Sequence, residues 1–170
     1  MLLFRALSLD PTALPAARLG QPFPEFIKRE LQSGESIGVA DLNRLPALVN
    51  VWATWCYSCR IEHPYLLELA AAGVPIYGLN YKDDPAKARA WLAQLGDPYQ
   101  LNIVDTEGAL GLDLGVYGAP ETYVIDRAGK IVHRHVGILD QKTFRADFGA
   151  WFLAVTDLPS PMTQSGPNAK

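Results

Sequence analysis

Cysteine is nearly absent from this chain. Only two occur in 170 residues, and both lie in Trp55-Cys56-Tyr57-Ser58-Cys59. A closed zinc site needs four ligands, usually including a second cysteine pair, and His63, His133 and His135 are the only histidines. Covalent haem attachment needs histidine directly after C-x-x-C, and here Arg60 follows Cys59. Methionine is confined to Met1 and Met162, which argues against a copper site at the pair. Long apolar runs are missing as well. The apolar start, Met1 to Leu9, is interrupted by Arg5 and falls far short of the ~20 residues of a membrane span. It also lacks the charged start and apolar length of a signal peptide. Two readings of it stand, the remnant of a longer membrane anchor and an ordinary apolar lead-in. A net charge of −3 gives no reason to expect nucleic-acid or anionic-membrane binding. There is no internal repeat and no low-complexity tract.

What is present is enough apolar residue, 49% of the chain, for one real core. Residues 1–26 carry Pro11, Pro15, Pro22 and Pro24 and read as an extended lead-in. Residues 27–155 form the domain, and 156–170 a polar, flexible tail. Ser36 to Val39 reads as a short strand, and Ala47 to Ala53 as a buried one. A helix follows Cys56, kinked at Pro64 and stopped at Gly73. Val74 to Asn80 is a strand. Asp84 caps a helix with Pro85 in its first position, ending at Gly96. A strand at 101–104, a short helix at 106–114, a hairpin of strands at 121–126 and 131–136, and a closing helix from Asp140 to Leu153 complete the chain. The pattern predicts an α/β fold with a mixed sheet, parallel inside with an antiparallel edge.

A strand that feeds a C-x-x-C at the start of a helix suits a dithiol redox site. The helix N-terminus offers free N–H groups and the positive end of its dipole, and both stabilise a thiolate. The alternative, a purely structural disulfide, would close a tiny loop and contribute little. Cysteine usage does not distinguish a reducing from an oxidising compartment.

These residues resemble the thioredoxin superfamily. The segment Asn50-Val-Trp-Ala-Thr-Trp-Cys-Tyr-Ser-Cys-Arg60 is similar to its active-site segment. Val116-Tyr-Gly-Ala-Pro-Glu-Thr-Tyr123 is similar to its second signature, in which a cis-proline faces the dithiol. The longer runs around Asn80 to Asp84 and Gly111 to Thr122 resemble the membrane-anchored thiol:disulfide interchange proteins of cytochrome c maturation, the DsbE/CcmG type. The resemblance implies a thioredoxin-like fold, a central mixed sheet flanked by helices with an N-terminal extension and a helical insert. It implies a periplasmic domain on an N-terminal inner-membrane anchor, absent or truncated here. It also implies a reducing role toward the haem-binding cysteines of apocytochrome c, or toward other maturation proteins, recharged by a membrane reductase of DsbD type. No cofactor beyond the Cys56–Cys59 couple and no metal is expected. Tyr57-Ser58 departs from the pairs more usual between the cysteines, so the redox potential is not carried over. Two other functions compete: a general envelope disulfide reductase with another client, and a binding module that holds an apoprotein or metal through the C-x-x-C.

Roles follow residue by residue. Cys56 is the expected attacking thiolate, exposed at the helix start, and Cys59 the buried resolving thiol. Trp55 is expected beside the sulfurs, with Tyr57 and Ser58 in contact with the client, and Trp52 in the core. Pro120, if cis, leaves the backbone of Ala119 free for an extended client, with Glu121 and Thr122 alongside. In the superfamily a buried aspartate six residues before the first cysteine relays the resolving thiol's proton. Here that position is Asn50, which does not titrate. Glu62, three residues past Cys59, is the first candidate for that base and Glu121 the second; a solvated surface carboxylate is the competing reading of Glu62. Together the two would make the groove acidic. His63 is expected in packing, and His133 and His135 on one solvent-facing strand face.

Overall fold

The computed structural model describes residues 18–152. Seven strands form one sheet: β1 (Ile27–Glu30), β2 (Ser36–Gly38), β3 (Ala47–Trp52), β4 (Ile76–Tyr81), β5 (Asn102–Asp105), β6 (Glu121–Ile125) and β7 (Ile131–Val136). Their order is β2-β1-β5-β4-β3-β6-β7. The inner strands β5, β4 and β3 are parallel, and the crossovers between them carry α1 (Tyr57–Ala71) and α2 (Pro85–Leu95). On one side β6 and β7 pair antiparallel, and on the other so do β1 and β2. The α/β thioredoxin-like class is therefore present, with antiparallel strands on both flanks rather than one.

The continuous apolar run of β3 is a strand buried on both faces, as parallel strands covered by helices must be. Leu48 and Trp52 enter the core cluster that also holds Cys56 and Cys59. Ala47, Val49 and Val51 enter the cluster on the opposite face. Asn50 alone breaks the run, and it too is fully buried. Gly78 in β4 is required by a close approach. A Cβ there would collide with the Asn102 side chain and the Trp52 indole nitrogen, which are hydrogen-bonded to each other at 3.1 Å.

One strand goes unread in the sequence, and the closing helix differs from its expectation. Ile27–Glu30 is a strand that apolar alternation does not reveal. Ile27 is exposed, and the strand is held by edge pairing and by the Lys28–Asp105 ion pair of 2.8 Å. The helix after Cys56 is present as expected, α1 carrying Pro64 inside it and ending at Ala71, just before Gly73. The helix read at 106–114 is α3 (Ala109–Leu114), and the closing helix is one short turn, α4 (Gln141–Thr143), followed by a π-helical turn, Phe144–Phe148. Phe144, Phe148 and Phe152 all stay buried; Phe144 stacks on Phe148 and lies tilted against Phe152, 5.8 Å from each. The backbone follows these rings rather than regular winding. Residues 1–17 of the lead-in, residues 153–155 of the domain and the whole tail lie outside the described residues.

Candidate active site

Cys56 is the N-cap of α1, in extended conformation, and its sulfur accepts from the Cys59 N–H at 3.1 Å. The two cysteines are joined as a disulfide with Cα atoms 5.3 Å apart. In the reduced state the same N–H and the α1 dipole would face the Cys56 sulfur and favour its thiolate. The expected exposure of Cys56 is not found. It is 6% exposed and Cys59 is 2% exposed, because Cys56 packs in the same apolar cluster as Trp52 and Leu66. What stands exposed is the rim formed by the chain neighbours of Cys56, Trp55 and Tyr57. Ser58 is half-buried.

The loop before Cys56 is anchored from the β4–α2 connection. Asp83 is buried and accepts from the Thr54 N–H at 2.6 Å, the Thr54 hydroxyl at 2.7 Å and the Asn80 amide at 3.0 Å. The Trp55 indole N–H donates to the Lys82 carbonyl at 3.0 Å, so this ring is fixed by the loop and not by burial. Asp84 caps α2 as expected, accepting from Ala86 and Lys87.

The Ala119–Pro120 peptide bond is cis, as is Leu45–Pro46. Ala119 packs against the cluster that contains both cysteines, and Pro120 is buried. Strand register separates the next two residues. Asn50 pairs with Thr122 and Val51 with Glu121. Thr122 therefore shares the face of Asn50 and accepts from its amide at 3.2 Å, fully buried beneath the site and not in a client groove. Glu121 lies on the opposite face, 1% exposed, paired with Arg134 at 2.9 Å. It also accepts from the Tyr123 hydroxyl at 2.9 Å and the Tyr117 N–H at 2.9 Å. Its oxygens are committed, so the second candidate base is withdrawn and no acidic groove forms from it.

Glu62 is on the dithiol side, one helical turn beyond Cys59, and is also 1% exposed. The surface-carboxylate reading is thus overturned. Its two oxygens accept from the Asn50 amide at 2.8 Å and the Leu139 N–H at 2.9 Å. Burial pushes its pKa up from the ordinary 4.5 to about 7, against the opposing pull of those two bonds. The Asn50 carbonyl oxygen accepts from the Tyr99 hydroxyl at 2.9 Å. Tyr99 and Asp83 are site residues that sequence reasoning missed. Neither lies near the C-x-x-C in the chain; for Asp83 the run Asn80 to Asp84, already singled out, was the available signal.

The histidines take structural places. His63 is buried, its ring edge-on to Trp91 at 4.4 Å, with Nε2 3.0 Å from the Gly96 carbonyl. His133 and His135 do not face solvent freely: both rings lie against Phe148, at 4.9 and 6.2 Å.

The Redoxin family model matches residues 18–148. The thiol:disulfide interchange protein DsbE of Pseudomonas aeruginosa is 54% identical over 158 residues, 92% of this chain and 88% of its own length. That of Escherichia coli K12 is 49% identical over 140 residues, 81% of this chain and 76% of its own length. Among solved structures, a thio-disulfide isomerase from Thermus thermophilus superposes with a TM-score of 0.65 at 26% identity, covering 83% of this chain and 99% of its own. A secreted thiol-disulfide isomerase from Corynebacterium glutamicum gives 0.65 at 25% identity, with 78% and 84% covered. The chain belongs to the Redoxin family, as a thiol:disulfide interchange protein of DsbE/CcmG type, and its Cys56–Cys59 couple is that of a thiol:disulfide oxidoreductase.

Proposed function

We propose that this oxidoreductase works as a reductant of the haem-binding cysteines of apocytochrome c, in the periplasm. On this reading a membrane reductase of DsbD type recharges it and an N-terminal anchor holds it at the inner membrane. The likeness to the DsbE proteins supports the setting. The observation that carries the mechanism is Glu62, a buried carboxylate near neutrality, one turn from the resolving cysteine.

The exchange proceeds in two displacements. The Cys56 thiolate attacks one sulfur of the client disulfide. The Cys56–client S–S bond forms, the client S–S bond breaks, and one client thiolate leaves. Glu62 as carboxylate then takes the Cys59 proton, leaving the acid and a Cys59 thiolate. That thiolate attacks the Cys56 sulfur, closes the Cys56–Cys59 disulfide and expels the second client thiolate. Two electrons have passed to the client, whose thiolates take up protons from solvent. A carboxyl poised near 7 is well matched to this transfer, since the best base titrates near the working pH.

Both cysteines are nearly buried beside a rim of exposed aromatics, Trp55 and Tyr57. Such a site favours an extended client segment that seats on the rim and disfavours a bulky folded disulfide. The test uses Cys59→Ala, which stops the reaction at the mixed disulfide. It should accumulate the adduct with an oxidised C-x-x-C-His peptide at least tenfold faster than with insulin. Equal rates would remove the proposed client and leave a general envelope reductase; no adduct with either would leave a binding module.

A further inference from the structure

The Asn50 amide sits between two groups that want opposite ends of it. Its nitrogen donates to Glu62 at 2.8 Å and to Thr122 at 3.2 Å, and its oxygen accepts from the Tyr99 hydroxyl at 2.9 Å. Asn50 and Thr122 are wholly buried and Tyr99 is 9% exposed. Tyr99 comes from the connection between α2 and β5, so with α1, β3 and β6 four separate parts of the chain meet here. Its ring is clamped: it stacks on Trp52 at 5.6 Å and 16°, and its own N–H donates to Asp97 at 3.0 Å.

An amide can turn over, and each orientation suits a different proton state of Glu62. With nitrogen toward Glu62 it donates to a carboxylate. With oxygen toward Glu62 it accepts from a carboxylic acid. Thr122 serves either orientation, because a hydroxyl donates and accepts. Tyr99 does not serve both equally, since a phenol donates better than it accepts. Burial, and the charges of Glu62 and Asp97, hold the Tyr99 phenol well above its usual range, so it stays a donor at any working pH.

Resting on the role of Glu62 proposed above, we propose that Tyr99 is a positioning residue for thiol–disulfide exchange, whose hydroxyl locks the Asn50 amide with its N–H groups toward Glu62. The lock keeps Glu62 available as a carboxylate near neutral pH, where an unlocked amide would favour the acid form. Among the described residues the groups that face Glu62 are Asn50 on β3 and the Leu139 N–H before α4, with Tyr99 at the far end of the Asn50 amide, Asp97 beside Tyr99, and Cys59 one turn back on α1. None of them is a cation.

The test is Tyr99→Phe, which keeps the ring on Trp52 and removes only the hydroxyl. Glu62 is followed by carboxyl-carbon NMR, and mixed-disulfide resolution as a function of pH. Loss of one oriented hydrogen bond should move both midpoints up by about one pH unit, and slow resolution at pH 7 about fivefold. In an Asn50→Ala background the same substitution should shift nothing further, because Tyr99 then has no amide to hold. An unmoved Glu62 midpoint in Tyr99→Phe, or a full shift in the Asn50→Ala background, overturns the proposal. Should the variants fail to fold, the unaltered protein decides. The Asn50 side-chain amide resonances must titrate with the Glu62 midpoint, and resonances that ignore it overturn the lock. The base role is tested separately: if Glu62→Gln leaves resolution unchanged, that role fails while a shifted Glu62 midpoint still supports the lock.

Discussion

Glu62 and Glu121 are equally buried, at 1% exposure each, on opposite faces of the same sheet. Their surroundings differ in one respect. Glu121 meets a guanidinium: Arg134 reaches it through two nitrogens, at 2.9 and 3.0 Å, and lies 5.0 Å over the Tyr117 ring. Glu62 meets only neutral N–H donors, and among the described residues no cation pairs with it. A buried charge with a partner serves architecture. Through Tyr117 and Gly118 the Glu121 carboxylate holds the loop that leads into Ala119–Pro120. A buried carboxylate without a cation keeps its proton up to about pH 7, which is what a proton carrier needs.

The largest effect should come from breaking the paired side. Arg134→Ala leaves Glu121 charged, buried and alone, a loss of about 3–5 kcal/mol. Urea unfolding at pH 7 measures it directly. A loss below about 1 kcal/mol would mean that the two glutamates are not different in kind. Glu62→Gln, under the same conditions, should cost nothing or stabilise.

The next contrast is in pH. Glu62 has a folded value of about 7, above the 4.5 expected of the unfolded chain, so the folded state binds its proton more tightly. Its contribution is fully present below about pH 4.5 and lost as pH rises to about 7, amounting to about 3 kcal/mol. Glu62→Gln should remove that decline. The quantity to compare is the stability difference between variant and unaltered protein at pH 4 and pH 8. If that difference is flat, Glu62 titrates near its ordinary value, and it is no longer a candidate for the base.

Much of this arrangement was legible in the sequence and some was not, for reasons of range. The Cys56–Cys59 pair, the helix behind it, the Asp84 cap and the strands on either side are local patterns, so the chain displays them. The burial of Glu62 is partly local, since Cys59, Glu62 and Leu66 share a helix face. The face of Glu121 is not local. Alternation says only that Glu121 and Thr122 point apart; which of them points at the dithiol depends on the β3–β6 register. Tyr99 is 49 residues from Asn50 and Asp83 is 29 from Thr54, joined by loops that have no period. The burial of Cys56 is not local either, because an N-cap position says nothing of the apolar cluster that closes over it.

The smallest effect should come from Thr122, where the two faces are one residue apart. Thr122 accepts from the Asn50 amide at 3.2 Å, the longer of that nitrogen's two bonds. Thr122→Val keeps the shape and removes the hydroxyl, leaving one buried N–H of Asn50 without a partner. That should cost about 1 kcal/mol, the lower end for an unsatisfied donor, since the amide keeps its bonds to Glu62 and Tyr99. Thr122 lies beneath the site and not in its rim, so the ratio of C-x-x-C-His peptide to insulin reduction should not move. Thr122→Ser, which restores the hydroxyl, should recover the polar part of the loss but not the packing of the missing methyl. A changed client ratio in Thr122→Val with stability intact would put this residue in contact with clients, and would return the strand after Pro120 to the recognition surface.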